Sequence, residues 1–266
     1  MGFAQPNPAP IAALARNRAA VMAELRRLMP RMAEQRAPLP FGLAAIDSHL
    51  PDGGLACGAL HEIVPAAESC IAAAFGFIAA VLAGLADPLL FVMPTYGLRP
   101  YRPHGRLHGH GLNALGLDPN RLIRVETAHR KETLWAMEEA VRSAAPAAVV
   151  GIIDTLDLKL SQRLHLAATD AGVPLFLLRP AATLESSAAA TRWRVGTAAA
   201  ARDRFGLVTQ PRWHLQLERC RNGRPGEWVV EYDHVARRFS LAAALADPAL
   251  SRGAGDQSRR QATMAI

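Results

Sequence analysis

The sequence predicts an α/β fold, in which a mostly parallel β-sheet is flanked by helices and followed by an antiparallel hairpin. Short, almost continuously apolar segments alternate with helical segments between residues 59 and 179. Strands of this kind are buried on both faces, as in parallel sheets. Near the end of the chain, two segments alternate apolar and polar residues around a turn that contains Gly223 and Gly226, which is typical of a hairpin with two different faces. Half of the 266 residues are apolar, which is enough for one large core.

The first 40 residues predict an amphipathic helix and a linker. Between residues 10 and 36, apolar side chains fall on one helical face, and most arginines fall elsewhere. The apolar residues that we expect to contact a partner are Leu14, Val21, Leu25 and Leu28. Pro38-Leu39-Pro40 then forms a short, stiff linker. Packing of this helix on its own domain is an equally good interpretation of the pattern.

The core domain is predicted over residues 41–240, where strands and helices alternate. The predicted strands are residues 59–64, 88–94, 121–126, 147–153 and 173–179. The predicted helices are residues 66–86, 112–117, 131–144 and 161–171. The hairpin uses residues 213–220 and 227–235. The segment from 241 to 266, polar from residue 247 onwards, predicts a flexible tail.

The basic residues are almost all arginines, and they avoid one segment. Of 30 basic residues, only Lys131 and Lys159 are lysines, and the net charge is +7. Residues 41–98 contain no lysine or arginine, whereas residues 192–238 hold ten arginines against five acidic residues. Neither lysine stands in the Gly-Lys-Ser/Thr sequence that ends an intact P-loop. Arginine clusters suggest an anionic partner, nucleic acid first, although a solvated surface is the simpler explanation of any single cluster.

Two arginine clusters hold the candidate DNA-binding residues. One lies in the Gly/His/Pro-rich stretch after the second strand, and the other lies within residues 180–211, which are rich in Ala, Ser and Thr and then in Arg. The residues expected to contact phosphates are Arg99, Arg102, Arg106, Arg192, Arg194, Arg202 and Arg204. Trp193 is available to stack on a base. A place in the core is the alternative for Trp193, and also for Trp213.

Several other classes of site are disfavoured. Three isolated cysteines, Cys57, Cys70 and Cys220, predict neither a disulfide framework nor a cysteine zinc site. Three histidines lie close together but without a carboxylate before Asp118, so no metal is expected there; they are His104, His108 and His110. The N-terminus does not resemble a signal peptide, and the longest apolar stretch is too rich in Ala and Gly to predict a membrane span. We therefore expect a cytoplasmic protein without a membrane partner.

The beginning of the core resembles a RecA-type domain. Phe41–Val64 reads FGLAAIDSHLPDGGLACGALHEIV, with an early Asp, a Gly-Gly-Leu and a strand that ends in Glu-Ile. Leu112–Val125 (LNALGLDPNRLIRV) and the RCRNGRPGEW turn extend the likeness, which covers roughly residues 41–235. Together with the arginine-rich N-terminal helix, these segments are similar to the ImuA family, shortened RecA/SulA-like proteins of damage-induced bacterial mutagenesis.

The resemblance places a degenerate P-loop after the first strand. The residues at this position include Pro65, Glu68, Ser69, Cys70, Ile71 and Ala72. Ile71 stands where the phosphate-binding lysine would be, and Ala72 stands where the Mg²⁺-binding hydroxyl would be. The second strand also lacks the glutamate that orients water in RecA-type enzymes. Asp154 resembles the Walker B aspartate, and a role as a helix cap is its alternative interpretation.

The resemblance implies a non-catalytic accessory protein of SOS-induced, error-prone translesion DNA synthesis that needs no cofactor. Its implied partners are ImuB and an error-prone DNA polymerase of the replicative α-subunit type, with DNA and RecA as further candidates; self-association stays open. Two alternatives are a RecA/KaiC-like ATP-binding protein, which calorimetry with Mg-ATP would reveal, and a SulA-like inhibitor of FtsZ. The basic charge and the arginine-rich termini disfavour the SulA-like alternative.

Overall fold

A computed structural model describes residues 36–95, 107–202 and 204–242. Several of the predicted contact residues lie outside the described residues. These are Leu14, Val21, Leu25 and Leu28 of the predicted N-terminal helix, together with Arg99, Arg102 and Arg106. The predicted tail lies outside them from residue 243 onwards.

A nine-stranded, mostly parallel sheet forms the centre of the fold. In chain order, the described strands are β1 (Leu60–Pro65), β2 (Leu89–Pro94), β3 (Leu122–Thr127), β4 (Ala148–Ile152), β5 (Leu175–Leu178), β6 (Thr191–Thr197), β7 (Ala201–Arg202), β8 (Val208–Gln210), β9 (Arg212–Cys220), β10 (Gly226–Asp233) and β11 (Arg238–Leu241). The order across the sheet is β11-β10-β9-β6-β1-β5-β4-β2-β3, and β7 and β8 form a separate two-stranded ribbon. Pairings from β6 to β3 are parallel, and those from β6 to β11 are antiparallel. This confirms the predicted fold class.

Helices cover both faces of the sheet and bury two apolar cores. The described α-helices are α1 (Ala44–Asp47), α2 (Ile71–Leu82), α3 (Gly109–Ala114), α4 (Arg130–Arg142) and α5 (Leu158–Ala171). Buried residues of α2 share one core with the aromatic side chains of β6 and β9, whereas those of α4 and α5 share the core on the opposite face. Because β6, β1, β5, β4, β2 and β3 are parallel, their carboxyl ends meet at one edge of the sheet. Ligands bind at this edge in open α/β sheets. None of the described helices is both long and apolar enough to cross a membrane.

The ends of two helices show how local residues set their bounds. We predicted a helix from residue 66, but a short 3₁₀ turn at Glu68–Cys70 comes first, so α2 begins only at Ile71. At the start of α5, the Asp157 carboxylate accepts the Leu160 N–H at 2.8 Å, which satisfies one of the free amides of the first turn. Gly172 ends that helix in a left-handed conformation with φ 66°, which glycine adopts without strain.

The sequence pattern missed four strands, β6, β7, β8 and β11. β6 is the most consequential because it lies inside residues 180–211, where we expected DNA-contacting residues, and it occupies the middle of the sheet between β1 and β9. Its Thr191, Trp193 and Val195 are buried, while the alternate arginines lie partly exposed. The Trp193 ring is fully buried, 5.3 Å from the Phe41 ring centroid. Our prediction that Trp193 stacks on a base is therefore wrong, and both Trp193 and Trp213 are core residues.

Candidate functional site

The connection between β1 and α2, at the position of the predicted P-loop, is a closed turn. The Ala66 N–H donates to the Val195 carbonyl of β6 at 2.8 Å, and the Cys70 N–H donates to the Ala67 carbonyl at 2.9 Å. A P-loop holds phosphates with backbone amides of this connection. Two of these amides are here committed to the sheet and to the turn itself.

The side chains of this turn also differ from those that hold a nucleotide. Pro65 lies in β1, and Cys70 and Ile71 are buried, so the residue in the lysine position points into the core. Ser69 and Ala72 are exposed. Glu68 is exposed as well, and its Oε1 accepts the Ala181 N–H at 3.3 Å. The turn thus presents a carboxylate, tied to the segment after β5, where a triphosphate needs positive charge.

Asp154 follows β4 at the same edge of the sheet. Its Oδ1 accepts the N–H of the next residue, Thr155, at 2.7 Å. The Thr155 carbonyl in turn accepts two hydrogen bonds from the Arg130 guanidinium, at 3.1 and 2.9 Å. The side chain that caps α5 is Asp157. The alternative prediction, that Asp154 caps the next helix, is therefore wrong. Among the described residues, no group of three or more His, Cys, Asp or Glu side chains is placed to hold a metal.

A buried ion network joins the three neighbouring strands β5, β1 and β6. We define it as Glu62, Arg179, Glu185 and Arg192. Glu62 and Arg179 are completely buried, and Glu62 Oε2 lies 2.7 Å from Arg192 Nη2. Arg179 Nη1 lies 3.6 Å from Glu62 Oε1, and Arg179 also pairs with Glu185. Arg192, which we predicted to contact DNA, is therefore a structural ion-pair partner of Glu62.

Arg194 of the second cluster, and two arginines at the end of β9, also have partners within the fold. Arg194 pairs with Glu218 and donates to the Ala181 carbonyl at 3.3 Å. Arg219 donates to the Ser187 carbonyl at 2.7 Å, and Arg221 donates to the Ala188 carbonyl at 3.0 Å. These bonds fasten residues 180–190, the segment that leads from β5 to β6. These three arginines therefore hold the chain's own backbone in place.

The ribbon of β7 and β8 carries the remaining two predicted DNA-contacting arginines of the second cluster. Arg202 and Arg204 are both exposed, and Arg202 Nη1 donates to the Gly206 carbonyl at 2.7 Å. The Arg204 guanidinium lies 4.7 Å from the centroid of the Phe205 ring. Phe205 and Leu207 are 72% and 65% exposed. Nothing in the sequence marks Phe205 as exposed, because a phenylalanine normally predicts a core position.

Two histidines, His61 in β1 and His165 in α5, have lowered pKa values. Burial lowers the pKa of His61 to about 4, although its hydrogen bond to the Ala56 carbonyl acts in the opposite direction. The His61 ring nitrogens lie 2.9 Å from Thr191 Oγ1 and 2.9 Å from the Ala56 carbonyl oxygen. Burial also lowers the pKa of His165, and the charge of Arg221 acts in the same direction. Both rings are therefore neutral at pH 7.

Comparison with known proteins identifies the family. No protein-family model matches this chain. The chain is 34% identical over 232 residues to Protein ImuA of Caulobacter vibrioides, in strain NA1000 / CB15N and equally in strain ATCC 19089 / CIP 103742 / CB 15. The alignment covers 80% of this chain and 93% of that relative. With this identity over this length, the chain belongs to the ImuA family.

Proposed function

We propose that this chain is a non-catalytic accessory protein of SOS-induced, error-prone translesion DNA synthesis, which connects ImuB to an error-prone DNA polymerase in the cytoplasm. Family membership supports the general role. The observation that carries the non-catalytic part is the turn at residues 65–72. Its buried Ile71 stands where nucleotide chemistry requires a cation, and Glu68, which is hydrogen-bonded to Ala181, adds a carboxylate to the same turn.

The physical argument against nucleotide chemistry concerns charge. Phosphoryl transfer relies on cations and a bound metal ion that neutralise the transferred phosphate. The Glu68 carboxylate in the turn would repel that phosphate. Residues 41–98 contain no lysine or arginine that could neutralise this negative charge. In our proposal, the core (residues 41–240) is a binding platform, and the segments before and after it contact partners.

Affinity purification of the full chain from mutagen-treated cells tests this function. We expect ImuB and the polymerase α-subunit to be retained after nuclease digestion, because the proposed links are contacts between proteins. We also expect deletion of the gene to reduce damage-induced mutation. A purification that retains neither protein, together with unchanged mutation in the deletion strain, would contradict the proposal.

The ribbon of β7 and β8 is our candidate for the DNA contact of this platform. Arginines beside an exposed aromatic ring suit single-stranded DNA, since the cations contact phosphates and the ring stacks on a base. The Arg204 guanidinium lies over the Phe205 ring, and Arg202 belongs to the same ribbon. By contrast, Arg192 and Arg194 are paired with carboxylates. We therefore move the proposed DNA contact from β6 to this ribbon.

Reversing both ribbon charges should weaken binding to single-stranded DNA. For the double variant Arg202→Glu/Arg204→Glu, we expect the slope of log K against log [salt] to fall by about 1.4, as for the loss of two phosphate contacts. Fluorescence anisotropy with labelled oligo(dT) across a salt series measures this slope. The control is Lys131→Glu/Lys159→Glu, which makes the same charge change on α4 and α5. An equal loss in the control would mean that the ribbon is not the contact.

A further inference from the structure

An open groove of about 460 Å³ lies between α5 and the segment that enters β6. Its apolar part consists of Leu158 and Leu166, which are 49% and 60% exposed. These two leucines are separated by eight residues, so they lie about two turns apart on one face of α5. Ala188 forms part of the opposite wall, and Arg221 closes the groove from the turn after β9.

The polar part of the groove is the pair of Arg221 and His165. Arg221 Nη1 lies 3.1 Å from His165 Nε2, within hydrogen-bond distance. A guanidinium has five N–H groups, and Arg221 uses only part of them on His165 and on the Ala188 carbonyl. Arg221 is exposed, so its remaining N–H groups can donate to an acceptor that enters the groove.

The charge at this end of the groove favours a carboxylate as that acceptor. None of the described residues that line the groove is acidic, and Arg221 is the charged residue among them. An anion that accepts from a guanidinium forms one of the stronger hydrogen bonds available to a protein.

The aliphatic surface indicates which kind of anion the groove fits. Nucleic acid would require cations along a backbone and a ring on which a base can stack, whereas Leu158 and Leu166 offer only aliphatic contact. A peptide supplies aliphatic side chains and a carboxylate within a few residues of each other. We propose that this groove binds a short acidic segment of a partner protein, with an aliphatic side chain on Leu158 and Leu166 and a carboxylate on the Arg221 guanidinium.

Selection of peptides on the full chain tests this proposal. The probe is a library of random dodecapeptides displayed on phage, and the most enriched sequence is then synthesised with a fluorescent label. We expect enriched peptides to carry Asp or Glu beside Leu, Ile or Val. We expect the labelled peptide to bind at least about tenfold more weakly to Leu166→Gln and to Arg221→Gln, which corresponds to about 1.4 kcal/mol.

The control variant is Leu184→Gln, because Leu184 is exposed and does not line the groove; it should bind the peptide like the wild type. Leu166→Gln keeps the test decisive if Arg221→Gln loosens the bond to Ala188. Enriched peptides that lack acidic residues, or that bind Leu166→Gln as well as the wild type, would overturn the proposal. Displacement of the peptide by oligo(dT) would also overturn it, since the groove would then be a nucleic-acid surface. The test does not involve ImuB, so it can fail independently of the proposed function.

Discussion

Replacing Glu62 by leucine is expected to lower the free energy of unfolding by about 3–5 kcal/mol, as for the removal of one partner from a buried ion pair. Glu62 and Arg179 are fully buried, so the substitution leaves the Arg179 guanidinium in the core with its remaining contact to the more exposed Glu185. Arg192 loses its carboxylate as well. Urea unfolding of the full chain at pH 7, followed by tryptophan fluorescence, measures the change.

A double-mutant cycle separates the ion pair from the packing of the side chains. We expect Glu62→Leu/Arg179→Met to be destabilised by less than the two single variants combined, because the double variant removes both charges of the pair. Glu126→Leu is the matched control, since its ion pair with Arg124 is exposed and should contribute less than about 1 kcal/mol. If Glu62→Leu were no more harmful than Glu126→Leu, the buried ion network would not stabilise the fold as we infer.

Acid is expected to destabilise the chain by about 3 kcal/mol through His61 alone. The pKa of His61 is about 4 in the folded chain, against 6.5 for an unperturbed histidine. As the pH falls below about 6.5, the unfolded chain binds the proton first, so stability decreases until the folded ring is also protonated near pH 4. Above this range the contribution is complete and no longer changes with pH.

Comparing His61→Gln with the wild type isolates this contribution. The variant should be less stable at pH 7, because it loses the packing of a buried ring against Phe176, but its stability should fall less between pH 7 and pH 4.5. Urea midpoints at these two pH values provide the measurement. His110→Gln, at an exposed position, should retain the full decrease. A similar decrease in His61→Gln would assign the acid sensitivity to other groups, among them His165, whose pKa is also lowered.

The sequence predicted the buried parallel strands well, and it failed where charge and burial occur together. β4 and β5 are buried along their whole length, so their apolar segments stand out. β6 alternates buried residues with arginines, and its arginines are accommodated by Glu62 and Glu218. Those partners are distant in sequence, and no local pattern reveals them. For this reason the sequence pattern predicts DNA-contacting residues in what is an arginine-rich strand of the sheet.

The candidate sites show the same division. The sequence shows directly that Ile71 replaces the P-loop lysine, because the motif fixes that position. The burial of the Ile71 side chain gives the substitution a physical reason. Phe205 could not have been identified from the sequence, because its exposure depends on the turn between β7 and β8. The hydrogen-bonded pair of His165 and Arg221 joins residues 56 positions apart, and only the packing of α5 beside the end of β9 brings them together.

The hydrogen bond between Glu68 and Ala181 has a consequence for how the assembly of this protein with its partners is controlled. Ala181 is held from both sides, by Glu68 through its N–H and by Arg194 through its carbonyl, so the connection after β1 and the segment after β5 are fastened to each other without a ligand. In an ATPase, each round of nucleotide hydrolysis returns the protein to its starting conformation. Under our proposed function, this chain lacks such a hydrolysis step, so its complexes would form and dissociate by mass action. The duration of a mutagenic episode would then depend on how fast the cell makes and removes the protein.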